Sequence, residues 1–388
     1  MHMLSIEPTP SPNSMKLNVD EILPRGQRQT WKPGDPAPEP LRSLLAIEGV
    51  RSLFRTADFI ALDRMPGADW ARILGEARLL LGSGEPGSAA NGSGAAVSAD
   101  TAYGEAHVLV QMFRGIPIQV RVRMGDSEVR AALPPAFAEA VQAAAGSTMI
   151  RERKLEEFGV RYGEPEEIAA DIVKELEAAY PAERLTALAD AAKAQGQGQD
   201  AADQPAASYV RPAPLTADEV LARFQTAAGD WQARYAALER FAPTVEALPL
   251  LAKALQDEHA SIRRLAVVYL GDLRDPLALP LLFAALRDHT AAVRRTAGDT
   301  LSDWGDPAAI GPMIEALRDK NKLVRWRAAR YLFEVGDDTA VEALRAATAD
   351  PEFEVRLQAE IALARIERGE EAAGSVWQQM TESRQTGK

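Results

Sequence analysis

Four stretches in the C-terminal half of the chain carry the same order of apolar and polar positions at a fixed interval, 31 residues as from Asp257 to Asp288. Aspartates stand at Asp257, Asp288, Asp319 and Asp350, and Ile262, Val293, Val324 and Val355 follow them five residues on. Next come Arg263, Arg294, Arg325 and Arg356, then Ala266, Ala297, Ala328 and Ala359, then Leu270, Leu301, Leu332 and Leu363. In the first three copies an apolar pair precedes the aspartate: Leu251/Leu255, Leu282/Leu286 or Met313/Leu317. Each copy therefore predicts a first helix, a polar loop and a second helix whose Val/Ile, Ala and Leu positions share one face. A lone helix pair leaves both stripes in water; stacking covers them, so the period marks a solenoid with irregular end copies. Residues 216–247 echo the pattern in a shifted register at Ala233-Arg234, Ala237 and Phe241, opening on a capping box at Thr216 and Glu219. The fourth copy carries Thr348 where its predecessors have leucine, and a polar tail follows Glu371.

Upstream the pattern changes. Leu41, Leu44, Leu45 and Ile47 predict a short helix, and the apolar runs Val50–Phe54 and Phe59–Leu62 predict a hairpin turning at Thr56-Ala57-Asp58. Ala68–Leu81 has helical spacing through Trp70, Ile73, Leu74, Ala77 and Leu80, and the extended Pro-rich start is expected to add a strand. Farther on, Ile118–Met124 alternates, leaving Gln119, Arg121 and Arg123 on a wet face. Arg114-Gly115-Ile116-Pro117 turns the chain into it from His107–Phe113, and Gly125-Asp126 turns it out toward Val129–Leu133. Helices are expected at Ala136–Ala145 and Pro165–Tyr180, the latter opening on Pro165 with Glu166 and Glu167 at its positive end. Residues 82–100 and 194–207 are small and polar, as in linkers. The reading is a multidomain chain: two small α+β domains at 1–81 and 105–193, linkers at 82–104 and 194–212, an all-α solenoid at 213–371 and a tail at 372–388.

Composition narrows the chemistry. The chain has 388 residues, 46% hydrophobic and 26% charged, as in a globular protein of two or three folding units. Its net charge of -12 argues against general nucleic-acid binding, which needs a basic face. It has no cysteine, which excludes disulfides and thiolate-held zinc or iron–sulfur clusters within the chain. No signal-like start and no apolar run of about 18 residues is present, so a cytoplasmic bacterial setting without membrane contact is expected.

Most catalytic patterns are missing. Gly82-Ser83-Gly84-Glu85-Pro86-Gly87 satisfies the dinucleotide-binding string, but Gly-, Ser- and Ala-rich sequence follows it instead of a helix, so it reads as linker. His259 and His289, in successive loops beside Asp257, Glu258 and Asp288, are a weak metal pair or ordinary loop residues. No metal and no cofactor is expected. Asp257/Arg263, Asp288/Arg294, Asp319/Arg325 and Asp350/Arg356, each pair six residues apart, predict a ladder of charge-assisted hydrogen bonds between stacked copies. One residue on, the column reads Arg264, Arg295, Trp326, Leu357 and breaks the repeat. With Asp299, Arg327 and Arg330 it forms a mixed basic and aromatic patch on the second helices, of the residue types enriched at binding hot spots. Packing of Trp326 against its neighbours is the competing explanation.

Three resemblances add to this reading. The Asp-to-Val-Arg spacing on paired helices resembles HEAT repeats. Residues 3–85 resemble the N-terminal domain of Nfu/NifU-type iron–sulfur scaffolds, carried by Glu7, Pro8, Thr9, Pro10, Ser11, Pro12, Asn13, Ser14, Met15 and Lys16, by Leu45–Val50 and by Asp58-Phe59-Ile60. In that family a second domain holds the cluster through Cys-x-x-Cys; here no cysteine exists, so the resemblance implies the domain and its partner contacts, not cluster binding. The order of an Nfu-like domain, a middle unit with Val110–Pro117 and Gly159–Gly163, and HEAT repeats resembles the conserved virulence factor C family, which implies a regulatory role in virulence and no assigned chemistry.

The expectation is a non-enzymatic adaptor that grips a protein partner through the HEAT face. The alternatives are an accessory role among iron–sulfur assembly proteins, and an enzyme or lyase acting on a small molecule held in the HEAT groove.

Overall fold

A computed structural model describes residues 1–8, 14–24, 27–65, 68, 70–81, 104–125, 127–144, 153–195 and 213–369. Of the predicted linkers at 82–104 and 194–212, residues 82–103 and 196–212 lie outside the described residues, as do the glycine string at 82–87 and the tail at 372–388, while Ala194 and Gln195 are helical. The chain groups into two compact units, Met1–Gly104 with Arg345–Ile361, and Glu105–Leu344 with Ala362–Lys388. Among the described residues no helix is long and apolar enough to cross a membrane.

In the first unit an antiparallel five-stranded sheet is ordered β1-β2-β5-β4-β3, from β1 (Met3–Pro8), β2 (Ser14–Val19), β3 (Arg28–Trp31), β4 (Val50–Thr56) and β5 (Phe59–Arg64). Alternation in β2 and β5 buries Met15, Leu17, Val19, Ile60 and Leu62. The helices α1 (Leu41–Leu45) and α2 (Trp70–Leu81) supply Leu41, Leu44, Trp70, Ile73 and Ala77 to the same core. The Pro-rich start gives two strands rather than one. β3 was not anticipated, because Arg-Gln-Thr-Trp is too short and polar to show a period. Leu357 is buried in this core as well, and Glu354 lies 3.8 Å from Arg64.

The second unit begins with an antiparallel sheet ordered β8-β7-β6-β9: β6 (Glu105–Phe113), β7 (Ile116–Met124), β8 (Ser127–Ala132) and β9 (Lys154–Tyr162). Arg114 and Gly115 both have positive φ, 47° and 80°, the requirement of the tight turn that joins β6 to β7. Around the sheet lie α3 (Pro135–Ala144), α4 (Pro165–Ala179) and α5 (Ala182–Gln195). Ile168, Ile172 and Leu176 of α4 cover Val108, Val110, Val120 and Val122. Neither β9 nor α5 shows a clear period in the sequence, since one opens on charged residues and the other is rich in alanine.

The helical part follows as α6 (Ala217–Thr226), α7 (Trp231–Glu239), α8 (Leu248–Ala254), α9 (Ala260–Leu273), α10 (Leu279–Ala285), α11 (Ala291–Trp304), α12 (Ile310–Ala316), α13 (Lys322–Val335), α14 (Val341–Ala347) and α15 (Phe353–Glu367). Seven-residue first helices alternate with fourteen-residue second helices through α13. Two α+β domains and a helical-repeat region therefore make up the fold.

The repeated charges join neighbouring copies. Arg234, Arg263 and Arg294 donate Nε to Asp257, Asp288 and Asp319 of the following copy at 2.7, 2.7 and 2.6 Å. Nη1 of Arg263 and of Arg294 donates to the backbone carbonyl of Asp257 and Asp288, six residues back, at 2.8 and 2.7 Å. Arg325 and Arg356 make the same backward bond, to Asp319 and Asp350, at 2.9 and 2.6 Å. Asp257, Asp288, Asp319 and Asp350 also accept from the backbone N–H two residues on, at 2.7 to 2.9 Å, which closes each loop.

Candidate functional site on the second helices

Of the column that breaks the repeat, Arg264, Arg295 and Trp326 lie on α9, α11 and α13, where the middle α+β module meets the second helices, while Leu357 lies on α15. At the α9 end, Glu175 of α4 is 3% exposed although charged. Arg161 of β9 and the hydroxyl of Tyr235 on α7 each donate to its Oε2 at 3.1 Å, and Nη2 of Arg264 lies 3.6 Å away. Burial pushes the Glu175 carboxyl up, but Arg264, Arg161 and a hydrogen bond from Ser261 outweigh it and hold the group below its ordinary value of 4.5. Burial raises the Tyr235 hydroxyl well above 10, and ionised Glu175 adds to that. This carboxylate stays charged at neutral pH and the phenol stays protonated, the arrangement of a structural ion cluster.

At the α11 and α13 end, Arg295 is 1% exposed. Its guanidinium sits 4.2 Å from the ring centroid of Tyr162 on β9 and 5.7 Å from that of Trp326, a cation over two aromatic faces. Glu105, the first residue of β6, lies 3.7 Å from Arg295 and 3.2 Å from Arg327. Asp299 pairs with both arginines. Arg327 also donates to Ser302 at 3.3 Å, Ser302 donates to Glu334 at 2.6 Å, and Arg330 donates to Glu334 at 2.7 Å. Arg264, Arg295, Asp299, Trp326, Arg327 and Arg330 thus lie along one face, and the middle module covers Arg264 and Arg295. Among the described residues, Nε of Arg264, of Arg295 and of Arg327 makes no hydrogen bond, while Nη2 of Arg295 faces Glu105 at 3.7 Å.

The contributions of Glu105, Arg161, Tyr162, Glu175 and Tyr235 were not recognised in the sequence. Glu175 had one signal, since it stands seven residues after Ile168 and three after Ile172, inside the apolar stripe of α4. The histidines take ordinary places: the His259 ring stacks on Trp231 at 3.7 Å, and His289 adjoins Asp288 and Arg263. Among the described residues no group of three or more His, Asp or Glu could hold a metal ion. Of the Nfu-like string, Glu7 and Pro8 end β1 and pair with Lys16 and Met15 of β2, while Ser14 pairs with Asp63. Thr9, Pro10, Pro12 and Asn13 lie outside the described residues.

Two α+β modules joined to stacked helix pairs, with a charged internal face, define a HEAT-repeat protein, a class whose parts support protein interaction. Family models match in the same order: scaffold protein Nfu/NifU N terminal over residues 4–83, virulence factor over 111–189, and HEAT repeats over 218–297 and 279–364. Conserved virulence factor C of Staphylococcus aureus (strain MRSA252) is 45% identical over 385 residues, covering 98% of this chain and 99% of its own. YpgR of Bacillus subtilis (strain 168) is 52% identical over 391 residues, covering 100% of both chains. The crystal structure of protein SAV1430 from Staphylococcus aureus, 32% identical, covers 21% of this chain and 98% of its own, with a TM-score of 0.20. The chain belongs to the conserved virulence factor C family.

Proposed function

We propose that this chain is a non-enzymatic adaptor that receives a partner protein on the second-helix face, through Arg264, Arg295, Asp299, Trp326, Arg327 and Arg330, and that the middle module occupies this face until a partner displaces it. The observation that carries the reading is that the middle module meets this face through Glu105, Tyr162 and Glu175, by ion pairs and a ring contact. Arg295, 1% exposed, is held by Asp299, by Glu105 of β6 at 3.7 Å and by the ring of Tyr162 of β9 at 4.2 Å. A partner presenting carboxylates of its own would compete with Glu105 and Glu175 for the same arginines. Buried ion pairs also add little net stability over apolar contacts, which suits an exchangeable interface.

The test is capture from cytosol with the full chain and two double variants. Glu105→Gln with Glu175→Gln loosens the resident module while leaving the arginine face intact, and should raise recovery of a reproducible partner. Arg295→Ala with Trp326→Ala, checked for retained helicity, should abolish it. Equal recovery by all three proteins would remove this face from consideration.

A second reading, an accessory role in iron–sulfur assembly, is favoured by the Nfu/NifU N-terminal match over residues 4–83. With no cysteine to hold a cluster, the module would act by contacting assembly proteins. Unchanged iron–sulfur enzyme activities in a strain lacking the protein would count against it.

A further inference from the structure

Two columns beside the ladder aspartates break the repeat differently from the second-helix face. Before the aspartate the four copies carry Gln256, Arg287, Arg318 and Ala349; after it they carry Glu258, His289, Lys320 and Pro351. In these two columns Arg287, Arg318 and Lys320 thus fall in the second and third copies alone. There the structure has a cleft of about 500 Å³ at the loop edge. Its lining combines apolar Phe283, Leu286, Pro312 and Ala316 with Arg287, His289, Arg318 and Lys320, all four of them exposed, and with Asp288, Glu315 and Asp319. Phe283 is half-buried and replaces Ala252 of the first copy.

The acids of the cleft are already engaged. Asp288 is taken by Arg263, Asp319 by Arg294, and Glu315 by Arg287 at 2.6 Å. That leaves Arg318 and Lys320, both exposed, as cations of the cleft beside its apolar lining. In a chain of net charge -12, this group of cations in two adjacent copies is a local reversal of the general field, and it attracts anionic segments over a short, salt-dependent range. Repetition in every copy is what stacking requires; a feature present in two copies only is what a ligand requires.

We infer that this cleft binds an acidic peptide segment of a partner protein, with one large apolar side chain seated over Phe283 and Leu286 and flanking carboxylates held by Arg318 and Lys320. The surface is separate from the second-helix face, so failure of either assignment leaves the other standing.

The experiment uses the full chain and a fluorescent peptide centred on Glu-Glu-Phe-Glu-Glu, followed by anisotropy at low and high salt. Saturable binding that weakens with salt is expected. It should fall at least about tenfold in Arg318→Glu with Lys320→Glu, and severalfold in Phe283→Ser or when the peptide's phenylalanine is replaced by serine. The charge changes lie at exposed positions outside the ladder, so folding is retained. Absence of peptide binding, or equal binding by the charge-reversed variant, overturns the assignment. Tighter binding of a single-stranded oligonucleotide, lost in the same variant, overturns the peptide class in favour of a phosphate ligand.

Discussion

Arg263 donates Nε and Nη2 to the carboxylate of Asp288 in the following copy, at 2.7 and 3.1 Å, while its Nη1 closes on the backbone carbonyl of Asp257 at 2.8 Å. One planar fork therefore ties its own loop to the next unit. The six-residue spacing within a copy brings arginine to the aspartate's backbone, and the side-chain pair forms between copies. Asp288 is shared in turn, accepting from the backbone N–H of Thr290 at 2.7 Å.

Breaking this link on one side should be costly. The side chains of Arg263 and Asp288 are only 3% and 9% exposed, so truncating either strands a buried partner, at about 3 kcal/mol. Urea unfolding of Arg263→Ala, Asp288→Ala and the double variant provides the check. The double variant should lose clearly less than the sum of the singles, because it leaves no stranded charge. Strict additivity would mean that the two side chains are not coupled.

Much of the architecture was legible because it is periodic. The repeat, the alternation in β7 and the capping box are local signals; in the box, Glu219 donates its N–H to Thr216 Oγ1 at 3.3 Å and its carboxylate accepts from the Thr216 N–H at 2.8 Å. β9 was not legible, because Lys154-Leu155-Glu156-Glu157 is a strand only by virtue of pairing with β6. The site divides in the same way. The break in the arginine column at Arg264, Arg295 and Trp326 can be seen in one sequence, but what faces it cannot. Glu105 and Glu175 come from another module, and only the placement of Glu175 within the apolar stripe of α4 marks it as unusual.

Two helical glycines should respond oppositely to alanine. A Cβ on Gly75, exposed in α2, would meet nothing within 4 Å. Gly75→Ala should therefore gain up to about 1 kcal/mol from helix propensity. A Cβ on Gly271 in α9 would lie 2.8 Å from Cγ2 of Thr300 on α11, a stiff β-branched neighbour. Overpacking of about 1–3 kcal/mol should exceed the propensity gain, giving a net loss. Thermal unfolding of both variants measures the two signs, and stabilisation by Gly271→Ala would show that α9 and α11 can separate freely.

Acid should loosen the middle module from the second helices, with Glu175 as a principal cause. Its carboxyl is depressed below 4.5 despite burial, through Arg264, Arg161 and the Ser261 hydrogen bond. A group whose folded pKa is lowered contributes its full stabilisation above the unfolded value and loses it as pH falls through the folded value. Protection of the α4 amides against hydrogen exchange should thus hold from neutral pH to about 5 and decline below about 4.5. Glu175→Gln should be weaker throughout and show a shallower decline, since other carboxylates still titrate but this one is gone. Tyr235→Phe removes the phenolic donor 3.1 Å from Oε2. It should cost about 1–2 kcal/mol and move the acid transition to higher pH, because the ionised form loses a hydrogen bond. An identical pH profile in wild type and Glu175→Gln would show that acid acts on this interface through other groups.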